Sequence, residues 1–156
     1  MPACTTRPAD LGSSLREWAG NDATRGAVVA TIAAIAATSA AQAGALRQAM
    51  LRGDHDDSTG NNTDGDRQRR IDVDAYAAFV AALAGSPVAA LASEEAEGVL
   101  PLTAGAPLLV AIDPLDGSAN LAVDGPVGMI FSIRPAPGGR DATADGSRTG
   151  YAARGN

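Results

Sequence analysis

The stretch VAIDPLDGSANL, Val110–Leu121, joins an apolar segment to a pair of aspartates. Residues Leu108–Ile112 are all apolar, which predicts a buried strand in the centre of a sheet. Asp113 and Asp116 follow it, with a proline and a leucine between them. Two carboxylates at the end of a buried strand repel each other unless a counterion compensates them. This stretch therefore predicts a strand that carries acidic side chains to a cation site.

The Asp-Pro-Leu-Asp step has the chemistry of a magnesium site. Proline fixes its own φ, and the turn it favours brings Asp113 and Asp116 to the same side. Because Mg2+ prefers carboxylate and carbonyl oxygens, the Leu115 carbonyl is a further candidate ligand. Gly117 permits close backbone approach, and the N–H groups of residues 118–120 would cradle a phosphate if a helix or nest begins there. The alternative is an ordinary Asp-rich turn, which a lone Asp-x-x-Asp-Gly would favour.

Two further acidic sets stand at the ends of predicted elements. Glu94 and Glu95 follow the strand-like run Val88–Ala92, and they converge on the first pair if both strands lie parallel in one sheet. Asp66 and Asp72 stand on either side of RQRR, where a loop becomes a helix. Taken alone, the glutamates are typical of a solvated charge pair, and the aspartates of a helix cap and a surface charge. Three acidic sets at three element ends favour one joint site.

The remaining pattern predicts an α/β fold, with helices packed on a mixed β-sheet. Asn21, Asp22 and Thr24 are candidate caps for a long helix over Arg25–Leu51. A second helix is predicted over Ile71–Leu83, with Asp72 near its start, and a further strand over Val127–Ile133. The predicted parts are a loose N-terminal arm (1–20), one domain (21–133) and an irregular tail (134–156).

The segment Gly53–Asp66 consists almost wholly of Asp, Asn, Gly, Ser and Thr. Such a segment has little to bury, which predicts a mobile loop. His55, the only histidine of the chain, lies within it without cysteine or histidine neighbours, so we expect a solvent-exposed side chain rather than a zinc ligand.

Composition narrows the classes of protein. With 156 residues, 46% of them hydrophobic and 3% aromatic, the chain can form one domain with a core of small side chains. A net charge of -6 disfavours general affinity for nucleic acid or anionic membranes. Cys4 is the only cysteine, which indicates a reducing compartment. The run Thr31–Ala45 looks too weakly hydrophobic for a membrane span. We therefore expect a cytoplasmic protein.

Four blocks, GDRQRRIDV, SEE, DPLDGSAN and VGMIFSI, occur in an order that resembles the N-terminal half of class 1 fructose-1,6-bisphosphatase. The resemblance covers roughly residues 24 to 133. Ser118 and Asn120 favour the sugar bisphosphatases over the related inositol monophosphatase-like enzymes. The resemblance implies the layered sugar phosphatase fold and a homo-oligomer (dimer or tetramer). It also implies hydrolysis of fructose 1,6-bisphosphate to fructose 6-phosphate in gluconeogenesis or the Calvin cycle.

The resemblance also implies a role for each residue of the acidic sets. Mg2+, or Mn2+ in its place, would be held by Glu94, Asp113, Asp116 and the Leu115 carbonyl. Asp66, Asp72 and Glu95 would be catalytic, approaching the metal or orienting and deprotonating the attacking water. The substrate phosphate would be bound by Asp116, Gly117, Ser118, Ala119 and Asn120, and Asn62 would help to close the loop over the site.

The sequence also departs from the family pattern. Ala119 replaces a serine, and TRGAVVAT and Pro107-Leu108 stand where an AMP-inhibition site would be, which disfavours control by AMP. The family's second half, with its sugar-binding residues, has no counterpart here, so we expect weak or absent catalysis by this chain alone. Two alternatives stay open: a sedoheptulose bisphosphatase or other sugar-phosphate phosphatase, and a non-catalytic fragment that binds cations or packs on another subunit.

Overall fold

A computed structural model of the chain describes residues 10–52, 58–61 and 67–137. Within these residues, helices pack on one face of a small sheet, and a separate two-stranded sheet lies between the second and third helices in the chain. The helices are α1 (Leu11–Ala19), α2 (Ala23–Arg52), α3 (Arg70–Ala84) and a 3-10 helix (Ser118–Val123). The strands are β1 (Ser58–Asn61), β2 (Arg67–Arg69), β3 (Val88–Ala92), β4 (Val99–Pro101), β5 (Leu108–Asp116) and β6 (Gly128–Pro135).

The larger sheet is mixed, as predicted. Its four strands lie in the order β4-β3-β5-β6, in which β3 and β5 are parallel and the other two pairs are antiparallel. Strand β5 has a partner on both sides, which confirms the prediction that its apolar run is central. The parallel pair matters most for function, because the carboxyl ends of β3 and β5 lie at the same edge of the sheet.

The core lies between the sheet and helices α2 and α3. Phe79 and Leu83 are fully buried on α3, one helical turn apart, and Ile35 of α2 is 1% exposed. Strands β3 and β5 complete the cluster with Val88, Leu91, Val110 and Ile112. Spacing of three to four residues on the helices and alternation on β5 thus place apolar side chains on the inner surface.

Polar side chains begin the first two helices. Asp10 caps α1, since its carboxylate accepts hydrogen bonds from the Ser13 N–H at 2.9 Å and from the Ser13 hydroxyl at 2.7 Å. The Ser13 hydroxyl is the main cause that lowers the pKa of Asp10. Asp22 caps α2 through the Arg25 N–H at 2.8 Å, as predicted. The expected loose arm is wrong for Leu11–Ala19, because this cap starts a helix there.

The polar segment before α3 also differs from the prediction. Strands β1 and β2 form an antiparallel pair, so the expected loop is wrong for Ser58–Asn61. Pairing of backbone groups defines these strands. His55, Asn62 and Asp66 lie outside the described residues.

Smaller differences concern the loops around the larger sheet. Strand β4, Val99–Pro101, has no counterpart among the predicted strands, and it pairs with Ala90–Ala92 of β3. Strand β6 continues through Pro135, two residues beyond the predicted end of the domain. The predicted irregular tail from residue 138 onward lies outside the described residues.

Helix α2, Ala23–Arg52, is longer than the predicted helix Arg25–Leu51. It is also more apolar than we expected from the run Thr31–Ala45. Its most apolar 18-residue window has a mean hydropathy of 1.5, and the helix is the one described segment that has the length and composition of a membrane span. The expectation that this run is too weakly hydrophobic is therefore wrong on this criterion. Only 11% of the window is buried, yet α2 packs along α3 and carries the buried Ile35 and Thr31. Core helices of soluble proteins meet the same criterion, so it is weak evidence for a membrane.

Candidate active site

The parallel pairing of β3 and β5 brings two of the acidic sets to one edge of the sheet. Ala92 lies opposite Ala111, and two residues further along each chain come Glu94 and Asp113. Both residues therefore follow the carboxyl end of the parallel pair, at the same edge of the sheet. The condition for convergence that was set from the sequence, parallel strands in one sheet, is met.

Asp113 is held by its own backbone turn. Its Oδ1 atom accepts a hydrogen bond from the Leu115 N–H at 3.1 Å, and the side chain is half-buried. Asp116 is exposed, and it pairs in register with Gly128 of β6. The first carboxylate is therefore fixed in orientation, while the second faces solvent.

The Asp-Pro-Leu-Asp step is a bulged part of β5 rather than the tight turn expected. The β5–β6 register shifts between Asp113 and Asp116. Pro114 is buried and has no N–H to donate to β6, which accounts for the interruption of the ladder. The bulge lies between Asp113, which pairs with Ile130, and Asp116, which pairs with Gly128, at the end of the sheet that Glu94 follows.

Glu94 and Glu95 lie in a turn that Ser93 organises. The Ser93 hydroxyl accepts from the Glu95 N–H at 3.3 Å, and the Ser93 carbonyl accepts from the Ala96 N–H at 3.4 Å. Glu94 is exposed and Glu95 is half-buried. Sequence reasoning did not assign this role to Ser93. The signal was its position before the acidic pair, since serine hydroxyls commonly close such turns.

The segment after Asp116 leads into the 3-10 helix. Gly117 has φ of 77°, a left-handed conformation that glycine adopts without strain, and its carbonyl accepts from the Asn120 N–H at 2.8 Å. Ser118 is half-buried, whereas Ala119 and Asn120 are exposed. A 3-10 helix begins at Ser118, which meets the condition set for the phosphate cradle, and the phosphate-binding role of these residues stays a prediction.

Asp72 is the one buried carboxylate among the described residues of the chain, at 3% exposure, in the first turn of α3. Helix α3 packs against β5 and β2. A carboxylate in such surroundings needs polar compensation, because burial penalises its charged form. This buried position differs from the helix cap or surface charge that would be expected of Asp72 outside a joint site. Its predicted partner Asp66 lies outside the described residues, as does Asn62.

The donor atoms at the sheet edge fit Mg2+ by their chemistry. Carboxylates of Glu94, Asp113 and Asp116 and the Leu115 carbonyl all offer hard oxygen atoms, and Mg2+ characteristically takes one or two carboxylates and completes its shell with water and substrate phosphates. Within residues 10–52, 58–61 and 67–137, no three acidic, histidine or cysteine side chains are clustered closely enough to hold a metal ion. In the part of the chain that the structure describes, these side chains therefore do not form a preassembled metal cage, and their role as ligands stays a prediction.

A cavity of about 310 Å3 lies behind the aspartate segment. It is bounded by α2 and α3 and by Pro114, Leu115 and Met129, and its lining is mainly apolar. Such a surface does not suit a phosphate ester, which needs N–H donors or cations. The cavity is therefore separate in chemistry from the acidic edge, although Leu115 borders both.

Comparison with known proteins gives a consistent set of relatives. A profile described as "Fructose-1-6-bisphosphatase, N-terminal domain" matches residues 16–153. A class 1 fructose-1,6-bisphosphatase of Methylorubrum extorquens is 50% identical over 115 residues, which are 74% of this chain and 33% of that protein. One from Xanthobacter autotrophicus is 42% identical over 147 residues, 92% of this chain and 40% of that protein. The chain thus spans well under half the length of these curated relatives.

Solved structures agree in fold. The holo form of Leishmania major fructose-1,6-bisphosphatase superposes with a TM-score of 0.76 at 29% identity, covering 89% of this chain and 42% of that one. A putative sedoheptulose-1,7 bisphosphatase from Toxoplasma gondii gives a TM-score of 0.61 at 28% identity, covering 83% and 38%. The helices on a mixed sheet seen here are therefore the arrangement of these enzymes' matching portions.

Proposed function

Because the chain belongs to the fructose-1,6-bisphosphatase family, we propose that it supplies the metal- and phosphate-binding half of an enzyme that hydrolyses fructose 1,6-bisphosphate to fructose 6-phosphate. The observation that supports this most directly is the parallel register of β3 and β5, because Ser93-Glu94-Glu95 and Asp113–Gly117 follow the same end of these two paired segments. In this proposal the acidic edge of the sheet is the catalytic centre.

Glu94, Asp113, Asp116 and the Leu115 carbonyl would hold Mg2+, or Mn2+ in its place. The bound metal supplies charge neutralisation for the phosphoryl oxygens and a water molecule that is easier to deprotonate. The hydrogen bond from the Leu115 N–H to Asp113 Oδ1 fixes the carboxylate before any ligand arrives. Such preorganisation avoids the free-energy cost of ordering the ligand on binding.

The remaining acidic residues and the backbone after Asp116 also have roles in the proposed reaction. Glu95, half-buried at the same edge, and Asp72, buried on α3, would orient or deprotonate the attacking water, and Asp66 would approach the metal. The N–H groups of residues 117–119, which follow Asp116 in the chain, would bind the phosphate oxygens. Replacement of the family's serine by Ala119 removes a hydroxyl and keeps the N–H, so backbone binding of phosphate is retained.

The proposal extends to the setting of the reaction. We place the protein in carbohydrate metabolism, in gluconeogenesis or the Calvin cycle, in the cytoplasm and as a homo-oligomer, without nucleic acid or membrane partners. Support comes from the family assignment, the net charge of -6 and the single cysteine. A sedoheptulose bisphosphatase is the second candidate, which the structural match to the Toxoplasma gondii protein favours.

Calorimetric titration of Mg2+ into the wild-type chain and into Asp113→Asn tests the metal site. The variant removes one negative ligand without changing shape, and we expect affinity at least about tenfold weaker, since even outer-shell partners of metals change affinity 10–100-fold. Asp124→Asn is the matched control, because Asp124 is exposed and lies in the same region outside the proposed set. Equal affinity for Mg2+ in all three proteins would contradict the site.

A further inference from the structure

The loop between β5 and β6 carries the proposed phosphate-binding residues, and the sheet does not support it. The chain leaves the sheet after Asp116 and returns at Gly128, and these two residues pair in register. Between them the backbone has no strand partner. The shape of the loop is therefore set by bonds within the loop and by the burial of Leu121.

Asn120 makes most of those bonds. Its side-chain Nδ2 donates to the Pro126 carbonyl at 2.9 Å, and its own carbonyl accepts from the Gly125 N–H at 2.8 Å. Its N–H donates to the Gly117 carbonyl, also at 2.8 Å. One residue thus ties the start of the loop to its end.

The two glycines of the loop flank this asparagine. A Cβ atom at Gly125 would lie 2.9 Å from Asn120 Cβ, which is closer than such atoms approach. A Cβ atom at Gly117 would lie 3.1 Å from Asn120 Nδ2 and 3.5 Å from the Pro126 carbonyl oxygen. The side chain of Asn120 therefore occupies a slot that exists only because residues 117 and 125 carry no side chain.

The same loop contains a strained residue. Asp124 has φ of 52°, a left-handed conformation that costs a residue other than glycine, and its N–H bonds to carbonyls of Asn120 and Leu121. Such a conformation persists only where the surrounding bonds impose it. The bonds at Asn120 are thus those that maintain this loop.

From this geometry we propose that Asn120 is a positioning residue. Its amide holds the backbone at residues 117–119 in the shape that receives the phosphate, and it acts through Pro126 rather than by contact with the substrate. The inference rests on the proposed function, and it replaces a direct substrate contact for this side chain. One of the two N–H groups of Asn120 Nδ2 is committed to the Pro126 carbonyl at 2.9 Å, and this bond fixes the orientation of the amide within the loop.

The test compares Asn120→Ala and Gly125→Ala with Val123→Ala in the full 156-residue chain. Val123 is 78% exposed in the same loop, so its truncation is the matched control. Gly125→Ala keeps the amide but displaces it, which separates the position of the amide from its presence. Three quantities are measured by NMR: the rate of hydrogen exchange at the backbone N–H of residue 125 without ligand, the affinity for Mg2+, and the affinity for inorganic phosphate at saturating Mg2+.

We expect both test variants to exchange the backbone N–H of residue 125 roughly two- to tenfold faster, and to bind inorganic phosphate roughly two- to tenfold more weakly, as loss of one hydrogen bond implies. Affinity for Mg2+ should stay within twofold, because Asp113 is held by Leu115 and not by the loop. Val123→Ala should match wild type throughout. A merely structural role would lower the unfolding midpoint without this split between the two ligands.

Each contrary outcome has a distinct meaning. Unchanged exchange in Asn120→Ala, or unchanged phosphate affinity beside a wild-type chain that binds phosphate, overturns the role of Asn120 alone. Weaker phosphate binding in Asn120→Ala with wild-type exchange and wild-type behaviour of Gly125→Ala would indicate direct contact with the ligand, which also overturns it. Failure of the wild-type chain to bind either ligand would overturn the proposed function, and the positioning role with it.

Discussion

Substitution of Gly117 by alanine probes the loop and the site together. Gly117 and Gly105 have nearly the same left-handed φ, 77° and 75°. Adding a Cβ to either residue costs roughly 1–2 kcal/mol in backbone strain. The restriction of the unfolded chain opposes this by about 0.4–1 kcal/mol, equally at both positions. The two substitutions therefore share every backbone contribution.

They differ in what the new methyl group meets. At Gly105 nothing lies within 4 Å, whereas at Gly117 the methyl group reaches Asn120 Nδ2 at 3.1 Å. Displacing the amide weakens its bond to Pro126, which contributes about 0.5–1.5 kcal/mol. Gly117→Ala should thus lower the free energy of unfolding by about 0.5–1.5 kcal/mol more than Gly105→Ala does.

Urea unfolding followed by far-ultraviolet circular dichroism gives both values, with the slope m checked for constancy. The double variant Gly117→Ala, Asn120→Ala adds a control, because without the amide the extra cost of the methyl group should disappear. Equal losses for Gly117→Ala and Gly105→Ala would refute the argument, since they would show that the contact with Asn120 contributes nothing.

Two further predictions concern the core and the first helix cap. Phe79→Ala should lower the free energy of unfolding by about 3–5 kcal/mol, since Phe79 is fully buried between α3 and the sheet. Val99→Ala, at an exposed position of β4, serves as the control in the same urea experiment. A loss below about 1 kcal/mol for Phe79→Ala would contradict the assigned core. Asp10→Ala should lower the urea midpoint at pH 7, because the Ser13 hydrogen bonds lower the pKa of Asp10 in the folded state and so favour its charged form. That stabilisation is present above the unfolded pKa, about 3.9, and is lost as the pH falls through the folded pKa, so the difference between the two proteins should narrow in acid; a difference independent of pH would count against the cap.

The sequence predicted the elements whose side chains decide their structure. Strand β5 follows from the apolar run before Asp113, and α3 from the spacing of Ala75 and Phe79. The parallel direction of β3 and β5 was a condition rather than a deduction, because no local pattern specifies which strands pair. Glu94 and Asp113 were nonetheless assigned to the same edge on that condition.

Elements that depend on backbone pairing were missed. Strand β4 has only three residues, and the residues of β1 and β2 are polar. None of these three strands therefore carries an alternating apolar pattern. Helix α1 was missed because Asp10 was not recognised as its cap. The hydrogen bond from Asn120 to Pro126 lies beyond any sequence pattern, since both residues are common in loops.

The central claim is that one cation binds at the joint edge of β3 and β5. Titration of Mn2+ into the isotopically labelled chain tests it directly, because this paramagnetic ion broadens the amide signals of nearby residues. Broadening of Glu94 and Asp113 at the same low Mn2+ concentration, reversed by Mg2+, is the predicted result. Broadening of only one of the two, or of acidic residues elsewhere in the chain, would contradict the shared site.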